Sequence, residues 1–264
     1  MRRPLEHREQ GIFVAEGEKV VRRLLESSFE VVTVLLPPKW LPEYEPLLQL
    51  RPEDIPVYLA EKDVLEELIG FSMYQGLLAV GKLPRGKSLD EVVEDAPPPK
   101  LFAAVDGLSS AENLGALVRN CGAFGVHGLL IGETSTSPYL RRAIRNSMGT
   151  IFNLPVVERL PLQITLRELR KRGIRSIAAH PHVEGRTLSQ ANFCGDCCVV
   201  FGSEGSGITP AVLNACDDAV AIPMAPRVDS LNVGAAAAVF LYEVSRQRRE
   251  RETFFKKSFD PHVT

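Results

Sequence analysis

The chain has 264 residues, of which 45% are hydrophobic and 24% are charged, and its formal net charge is −2. It is too apolar for a disordered protein and too poor in glycine and proline for a fibrous one, and its length suits one large or two medium domains. The stretch nearest to a membrane span, Val233–Tyr242, has ten residues, about half of what a helix needs to cross a bilayer.

The amino terminus and the cysteines bear on the cellular compartment. Residues 1–10 are mostly polar and lack the apolar core of a secretory signal. Five cysteines are an odd number, and without an export signal they are most simply reduced thiols. We therefore expect a cytoplasmic protein with no membrane segment.

The small net charge hides an asymmetry along the chain. Residues 1–84 carry 10 basic against 14 acidic side chains, residues 85–99 carry 2 against 4, and residues 100–264 carry 19 against 15. Of the last 19 cations, 15 are arginines, whose planar guanidinium suits phosphate. The surplus of four positive charges fits an RNA-binding half, and it equally fits an ordinary solvated surface.

A polar connector divides the chain. Pro84–Pro99 is rich in charged residues and ends in three prolines, which neither continue a helix nor join the interior of a sheet. Within it, Ser88 and Glu91 have the spacing of a helix capping box. The expected organisation is a front domain of residues 1–84, a linker of residues 85–99 and a second domain of residues 100–264.

The front domain alternates helical and strand patterns. Apolar residues at helical spacing predict a helix over Glu16–Ser27. The later predicted elements are a strand at Val31–Leu36, a strand at Pro56–Ala60, a helix at Glu61–Ile69 and a strand at Leu77–Leu83. With a single histidine, no cysteine and no carboxylates at metal spacing, this small α/β domain is expected to bind rather than to catalyse.

The second domain has the pattern of an α/β fold with a mainly parallel sheet. Six short apolar runs are candidate strands: Leu101–Val105, Gly128–Ile131, Leu154–Val157, Ser176–Ala179, Cys197–Phe201 and Ala219–Ile222. Helical patterns lie between and after them, at about 113–125, 139–148, 163–173, 209–216 and 230–250. Continuous apolar strands are typical of a parallel sheet covered on both faces. Ligands of such sheets bind beyond the carboxyl ends of the strands.

The loop and helix after the first of these strands contain Asn113 and Arg119. Asn113 stands where a helix is expected to open, so a capping role is the plain interpretation. Arg119 follows six residues later, about 240° further around a helix. The two side chains therefore do not converge within one regular helix. Either Asn113 lies in the loop, or the two residues serve sites assembled from two chains.

A second loop, within Cys197–Gly207, runs from a strand into three glycines in six residues, with Glu204 between them. It lacks the Lys-Ser/Thr of a Walker loop and is not a Gly-x-Gly-x-x-Gly sequence. It still predicts a turn in which the backbone approaches a flat or anionic ligand closely.

A third loop, Ala221–Gly234, precedes a helix start that is rich in small residues. Ser230 is the expected helix cap, and Asn232, one turn in, is placed to hydrogen-bond outward. Tight core packing explains the alanines that follow, but it does not explain the sequence Ser-Leu-Asn.

Together the three loops resemble the three motifs of the SpoU/TrmH-type RNA ribose 2′-O-methyltransferases of the SPOUT superfamily. The matching stretches, in order, are Asn113–Arg119, Gly202–Gly207, Ile222–Met224 and Ser230–Val233. Gly11–Val21 resembles the start of the family's ribosomal-protein-like α/β substrate-binding domain. The resemblance implies S-adenosylmethionine as methyl donor, a homodimer with the active site at its interface, no metal, and a deep trefoil knot at the carboxyl end. Sheet rules alone would predict an unknotted fold.

By position, the resemblance assigns cofactor contacts to Gly202, Ile222 and Leu231, with Met224 close by. The family's polar active-site set falls on five residues, all of which are present: Asn113, Arg119, Glu204, Ser230 and Asn232. The chain departs from the family at Gly234, where a serine usually follows Asn-Val. If that serine braces the cofactor loop, its absence loosens cofactor binding.

Methyl transfer to a ribose hydroxyl requires the 2′-oxygen in line with the sulfonium methyl and a way to remove its proton. These motifs hold no histidine or lysine as a conventional base, and a free guanidine base is costly because arginine pKa values exceed about 12. We expect Arg119 to clamp phosphate and orient the hydroxyl, with the proton leaving toward phosphate or water. Glu204 and Asn232 would hold Arg119 and the nucleoside. Asn113 and Ser230 would complete the polar lining.

A group of arginines outside the motifs is a candidate RNA contact. Arg141, Arg142 and Arg145 share one face of a predicted helix. They are expected either to meet RNA phosphates or to form an ordinary solvated face.

Two other pairs of residues carry weaker alternatives. Cys194 and Cys197 have Cys-x-x-Cys spacing without a second pair, so a zinc or redox site is a minor alternative. His180 and His182 flank Pro181 close to where the cofactor is expected, although most such histidines are only loop residues.

Two further function classes fit parts of the sequence. An RNA-binding or ribosome-assembly protein would keep the fold without turnover; the five polar residues argue against it, and Gly234 argues mildly for it. A dinucleotide-dependent oxidoreductase fits the α/β pattern but lacks the glycine fingerprint and the acidic ribose partner. Among RNA substrates, the front domain favours ribosomal RNA of the large subunit over tRNA, with a guanosine as one candidate nucleoside.

Overall fold

The computed structural model describes residues 7, 9–70, 76–181 and 186–259, and the chain forms two compact units. The first, the front unit, comprises the chain up to Arg85 together with Leu114–Arg119 and Ser137–Asn153; the second, the rear unit, comprises the remaining segments. Packing thus gives two segments of the predicted second domain to the front unit. The division into an RNA-binding front domain, a linker and a methyltransferase domain stays a prediction.

The front unit is built on a four-stranded sheet in the order β1-β4-β2-β3. The strands are β1 (Ile12–Glu16), β2 (Val31–Leu36), β3 (Val57–Leu59) and β4 (Leu78–Lys82), and the helices are α1 (Glu18–Leu25), α2 (Leu41–Gln49) and α3 (Lys62–Ile69). Strand β4 is antiparallel to β1 and β2, whereas β3 is parallel to β2. The three predicted strands, β2, β3 and β4, are confirmed to within one residue at each end.

Three elements of the front unit differ from the sequence pattern. Strand β1 is not among the predicted elements. The helix predicted from Glu16 begins at Glu18, because Glu16 is the last residue of β1 and Gly17 turns the chain at a φ of 97°. Helix α2, which contains Pro42 and Pro46, is not among the predicted elements. Pro42 lies in the first turn of α2, where a missing N–H costs the helix no hydrogen bond.

The rear unit is built on a six-stranded sheet in the order β10-β8-β9-β5-β6-β7, and every neighbouring pair is parallel. The strands are β5 (Leu101–Val105), β6 (Gly128–Gly132), β7 (Val156–Leu160), β8 (Arg175–Ala179), β9 (Cys197–Phe201) and β10 (Asp218–Val220). Every residue of β5, β6 and β9 is buried, which confirms the predicted parallel sheet covered on both faces. Strand β7 begins two residues later than predicted, after Pro155, because proline donates no hydrogen bond into the ladder.

Six more helices follow in chain order: α4 (Leu89–Asp95), α5 (Ala111–Ala123), α6 (Arg141–Asn146), α7 (Leu162–Lys171), α8 (Pro210–Leu213) and α9 (Val233–Phe259). The five helices predicted after residue 100 are all present, with shifted ends. Helix α9 starts three residues later than predicted and runs on to Phe259. No helix in the described part of the chain combines the length and the apolar character that crossing a bilayer requires.

Part of the predicted linker is folded into the rear unit. Ser88 and Glu91 form the predicted capping box, in which Ser88 N donates to Glu91 Oε2 at 2.7 Å and Glu91 N donates to Ser88 Oγ at 3.2 Å. Helix α4 buries Val92 and Val93 in the core of the rear unit. Gly128 on β6 leaves the space for Val92, because an added Cβ there would collide with it. From Ser88 on, the linker is therefore a packed structural element.

Aromatic packing explains why Ser137–Asn153 belongs to the front unit. The ring of Phe152 stacks on that of Phe13 with centroids 5.6 Å apart, and it packs edge-on against Phe29 at 5.4 Å. The ring centroid of Tyr139 lies 6.3 Å from that of Phe13. Ring pairs of this kind add stabilisation beyond their buried area. The cluster ties the segment that carries α6 to strand β1.

His127 and Arg248 hold the start of β5 in the rear unit. Leu101 N donates to His127 Nδ1 at 3.1 Å, and His127 N donates to Leu101 O at 2.8 Å. The guanidinium of Arg248, on α9, donates to the carbonyl oxygens of Pro99 and Lys100 at 2.7 and 2.9 Å. Burial, together with the charge of Arg248, holds the pKa of His127 below its ordinary value. The imidazole is therefore neutral and accepts the hydrogen bond.

Candidate active site

Loops at the carboxyl ends of three neighbouring strands line one cavity of about 500 Å³ in the rear unit. Residues 179–181 contribute at the end of β8, residues 201–208 at the end of β9, and residues 220, 222 and 224 at the end of β10. Residues 230–233, at the start of α9, complete this part of the wall. The cavity therefore lies at the edge of the sheet where a parallel α/β fold is expected to bind its ligand.

The cavity brings together most of the residues that the sequence singles out. Seven of them line it: Gly202, Ile222, Met224, Leu231, Glu204, Ser230 and Asn232. The first four are the predicted cofactor positions, and the last three belong to the predicted polar set. Asn113 and Arg119 are not among the lining residues. The individual roles of these residues stay predictions.

Gly202 shapes the wall of the cavity at the end of β9. The chain turns back on itself after it, with Ser203 N donating to Gly207 O at 3.0 Å and Gly207 N donating to Ser203 O at 3.1 Å. A Cβ at position 202 would collide with the carbonyl carbon of Gly207 and the amide nitrogen of Ile208. A larger residue at position 202 would force the turn to open, and with glycine there a ligand in the cavity meets bare backbone.

Asn113, Glu204 and Asn232 form one hydrogen-bonded chain. Asn113 Nδ2 donates to Glu204 Oε1, and Asn232 Nδ2 donates to Asn113 Oδ1 at 2.9 Å. The predicted capping role of Asn113 is wrong, because helix α5 opens earlier and Ser110 caps it, with Asn113 N donating to Ser110 Oγ at 3.2 Å. The side chain of Asn113 is thereby left for the two side chains near it.

The chain of hydrogen bonds has only one consistent direction. Asn232 Oδ1 accepts from the backbone N–H of Gly234 at 2.9 Å, so the Asn232 amide nitrogen must point at Asn113. Asn113 then presents its oxygen to Asn232 and its nitrogen to Glu204. A backbone N–H only donates and a carboxylate only accepts, so both ends fix the orientation of the two amides. Glu204 Oε1 is therefore the acceptor at the end of this chain of hydrogen bonds.

The start of α9 corrects the prediction for Ser230. The helix begins at Val233, and Asn232 rather than Ser230 caps it through the hydrogen bond from Gly234 N. Ser230 precedes the helix and lies exposed in the lining of the cavity. The sequence pattern is misleading because serine and asparagine are both strong caps, and Ser230 and Asn232 stand only two residues apart.

Arg119 lies on α5 in the same regular helix as Asn113, and its side chain is exposed. The alternative that places Asn113 in a loop is therefore wrong. The remaining alternative is that Asn113 and Arg119 serve sites assembled from two chains.

Several residues near the cavity are not among those that the sequence motifs predict. Asn120 on α5 donates through Nδ2 to Gly234 O at 2.7 Å. Phe201 and Phe240 line the cavity and pack edge-on, with ring centroids 6.0 Å apart. Asn120 could have been predicted from its position seven residues after Asn113, since residues two turns apart share a helix face. His180 lines the cavity, whereas His182 lies outside the described residues.

Two of the three arginines of α6 bind a buried carboxylate. Arg141 and Arg145 bind the two carboxylate oxygens of Glu16 at 2.5 and 3.0 Å, and the side chain of Glu16 is only 5% exposed. Arg142 is exposed beside them. One buried carboxylate thus offsets part of the positive charge, and contact of this helix with RNA stays a prediction.

Cys197, Cys198 and Cys216 lie in surroundings that favour the neutral thiol. Burial raises the pKa of Cys197 and Cys198, and it raises the pKa of Cys216 to about 12. Thiols with raised pKa values are poor nucleophiles at neutral pH. Within the described ranges, no three His, Cys, Asp or Glu side chains cluster as metal ligands do. The Cys-x-x-Cys spacing of Cys194 and Cys197 gains no support from the structure.

Comparison with known proteins identifies the family. Residues 100–242 match the model of the SpoU rRNA methylase family. This chain belongs to that family. An uncharacterized tRNA/rRNA methyltransferase of Mycobacterium bovis is 33% identical to it over 240 residues, covering 90% of this chain and 82% of that protein. The SpoU/TrmH resemblance is thereby confirmed, and the protein is an RNA methyltransferase of the SpoU family.

Solved structures show the same fold. The SpoU methyltransferase AviRb of Streptomyces viridochromogenes, in complex with AdoMet, matches with a TM-score of 0.79 at 26% identity, covering 92% of this chain and 93% of that one. A structure of an RNA 2′-O ribose methyltransferase matches with a TM-score of 0.76 at 29% identity, covering 94% and 93% of the two chains. The likeness extends over both units rather than the methylase segment alone.

Proposed function

We propose that this protein transfers a methyl group from S-adenosylmethionine to the 2′-hydroxyl of a ribose in structured RNA, with ribosomal RNA as the favoured substrate. The observation that carries the proposal is the hydrogen-bonded chain of Asn232, Asn113 and Glu204 at a cavity with a glycine wall. The family match and the two named structural relatives support the same chemistry.

The residues of the cavity fit S-adenosylmethionine. A volume of about 500 Å³ lies within the usual range of ligand pockets. Ile222 and Leu231 offer apolar surface for an adenine ring, and the backbone at Gly202 accepts a flat group at close range. Met224 adds a soft, adaptable contact. When bound, the cofactor supplies an electrophilic methyl group.

The polar residues would position the ribose and handle its charge. Arg119 clamps an RNA phosphate and orients the 2′-hydroxyl, and the proton leaves toward that phosphate or water, because arginine itself stays protonated. Glu204, held by Asn113, is a fixed negative group for the guanidinium. Asn232 and Ser230 complete the polar lining around the nucleoside. Holding both reactants in attack geometry supplies several kcal/mol, up to about 7–11 in favourable cases.

A homodimer with the active site at its interface is part of the proposal. Helix α9 exposes an apolar face at Ala235, Val239 and Tyr242, of which Val239 is 39% and Tyr242 52% exposed. The ring of Phe124, at the end of α5, packs edge-on against Tyr242 with centroids 6.3 Å apart. Apolar residues at this helical spacing suit burial against a second copy. The carboxyl-terminal knot and the ribosomal-protein-like character of the front domain are proposed on the family resemblance.

The decisive experiment measures transfer of tritiated methyl from S-adenosylmethionine to RNA isolated from cells that lack this protein. We expect incorporation that survives as an alkali-resistant dinucleotide, the mark of a 2′-O-methyl group. Arg119→Ala should lower turnover by at least about 100-fold while leaving cofactor affinity nearly intact by calorimetry. Arg167→Ala, which changes another exposed arginine, is the matched control.

Wild-type turnover by Arg119→Ala would remove Arg119 from the mechanism. Cofactor binding without any methyl transfer would favour the alternative of a non-catalytic RNA-binding protein. Mapping the labelled nucleotide separates ribosomal RNA from tRNA, and a label on tRNA alone would overturn the proposed substrate class while leaving the reaction in place.

A further inference from the structure

Helix α5 carries two asparagines on one face that both bind the start of α9. Asn113 and Asn120 are seven residues apart, which is two turns and about 20° from exact alignment. Asn113 accepts a hydrogen bond from Asn232, and Asn120 donates one to the carbonyl oxygen of Gly234 at 2.7 Å. The two contacts lie at the cap and the first turn of α9.

Gly234 is therefore held at both ends of its backbone unit. Its N–H donates to Asn232 Oδ1 at 2.9 Å, and its carbonyl oxygen accepts from Asn120 Nδ2 at 2.7 Å. Gly234 is buried, so water is not a ready substitute for either partner. Since glycine restricts its own backbone less than any other residue, these two side-chain hydrogen bonds add restraint where the helix begins.

The position of Gly234 affects the hydrogen bonds that join Asn232, Asn113 and Glu204 at the cavity. The N–H of Gly234 donates to Asn232 Oδ1, so Asn232 Nδ2 is the atom that faces Asn113. Asn113 accepts through Oδ1 and donates through Nδ2 to Glu204. A shift in the first turn of α9 would loosen each later link.

We propose that Asn120 is a positioning residue for the methyl-transfer site: it fixes the first turn of α9 through Gly234 and thereby the orientation of Asn232, Asn113 and Glu204. Asn120 itself touches neither reactant in this scheme. The kinetic test of this inference rests on the proposed function. A second test, by hydrogen exchange, does not depend on methyl transfer.

The kinetic test compares Asn120→Ala and Asn120→Asp with wild type. Aspartate keeps the size of the side chain but places an acceptor against the Gly234 carbonyl, so it cannot restore the contact. We expect kcat to fall about 3- to 10-fold in both variants, as for one lost hydrogen bond, with KM for the cofactor changed less than about 2-fold. Asn214→Ala, at an exposed asparagine at the end of α8, is the matched control and should behave as wild type.

A double-mutant cycle separates positioning from a general structural role. If Asn120 acts through Asn232, then Asn120→Ala has no further effect on kcat in a chain that already carries Asn232→Ala. Independent, multiplying losses would overturn the proposal, as would a wild-type kcat in both Asn120 variants.

Hydrogen exchange supplies the readout that needs no activity. Amides in the first turn of α9 should exchange faster in both Asn120 variants than in wild type and in Asn214→Ala, with melting temperatures showing that all four proteins are folded. Unchanged exchange in that turn would overturn the inference whether or not the protein methylates RNA. Absence of methyl transfer by wild type, with faster exchange in the Asn120 variants, would instead count against the proposed function alone.

Discussion

At the scale of single residues, Gly202 decides the shape of the cavity wall. We predict that Gly202→Ala lowers affinity for S-adenosylmethionine at least about tenfold, because the added methyl group collides with backbone atoms of the turn at Gly207 and Ile208. Backbone cannot move aside as a flexible side chain can, so the turn must open, and overpacking of this kind costs about 1–3 kcal/mol. Calorimetric titration with the cofactor measures the effect.

The control for that prediction is Gly195→Ala, where an added Cβ meets no atom within 4 Å. That variant should bind the cofactor as wild type does. Normal affinity in Gly202→Ala would show that the cofactor does not use this wall.

The hydrogen-bond partners of single residues also explain why the sequence pattern assigns the helix caps incorrectly. Asparagine suits both a helix cap and a side-chain relay, and sequence spacing does not distinguish the two uses. Ser110 takes the cap of α5 and frees Asn113, whereas at α9 it is Asn232 that caps the helix and also reaches Asn113. The structure therefore brings Asn113, Glu204 and Asn232 together, whereas the capping roles predicted for Asn113 and Ser230 are wrong.

At the scale of elements, helix α6 carries three arginines: Arg141 and Arg145 bind Glu16, and Arg142 and Arg145 are exposed. We predict that Arg142→Gln weakens RNA binding and lowers the slope of log affinity against log salt by about one. The triple change of Arg141, Arg142 and Arg145 to Gln should flatten the slope further. An unchanged slope in the triple variant would refute contact of this helix with RNA.

The triple variant needs its own stability measurement, since it strips both cations from a carboxylate that is only 5% exposed. We expect it to lose about 1–3 kcal/mol of unfolding free energy. Adding Glu16→Gln to the triple variant should recover part of that loss without restoring the salt slope, which distinguishes a damaged fold from a lost RNA contact.

The junction of β5 and β6 makes stability depend on pH through His127. Burial and Arg248 lower the folded-state pKa of His127, and Asp196 opposes them. The unfolded chain, with a histidine pKa of about 6.5, therefore takes up a proton first as pH falls. The resulting stabilisation is present above about pH 6.5 and is lost as pH drops below it. Protonation would also remove the acceptor for Leu101 N.

We predict that His127→Asn, which keeps an acceptor but cannot titrate, reduces the loss of stability between pH 8 and pH 5. Denaturant unfolding at the two pH values measures it, and the two proteins should be similar at pH 8. An equal loss in wild type and variant would assign the acid sensitivity to other groups, among which Asp217 and Glu243 titrate at lower pH because hydrogen bonds lower their pKa values.

At the scale of the whole molecule, the exposed Arg119 and the exposed face of α9 make a two-chain site testable. We predict that Arg119→Ala and Glu204→Ala, each inactive alone, recover about a quarter of wild-type turnover when unfolded and refolded together in equal amounts. Half of the dimers then join unlike chains, and one of their two sites is intact.

No recovery on mixing, with dimers present by sedimentation, would place Arg119 and Glu204 of the same chain in one site. Tyr242→Glu provides an independent check. It sets a charge into the apolar face of α9 and should shift the protein toward monomer with loss of methylation, whereas a stable, active dimer would place the interface elsewhere.

The sequence by itself determined most of the local elements, the parallel character of the rear sheet, and the three loops that carry the family resemblance. Buried strands β5 and β9 follow directly from unbroken apolar runs, and loops after such strands are where ligands bind. These properties depend on residues close together in the chain, so pattern and composition suffice to predict them.

Only the tertiary structure decided which polar groups meet. Asn113 hydrogen-bonds to Glu204 and Asn232, which are 91 and 119 residues away in the sequence. Arg145 and Glu16, which form an ion pair, are 129 residues apart. The order of the strands and the assignment of Ser137–Asn153 to the front unit also depend on contacts between segments that are distant in the sequence. A hydrogen bond or ion pair depends on distances of a few ångströms and on burial, which follow from how distant segments pack and leave no mark in local sequence.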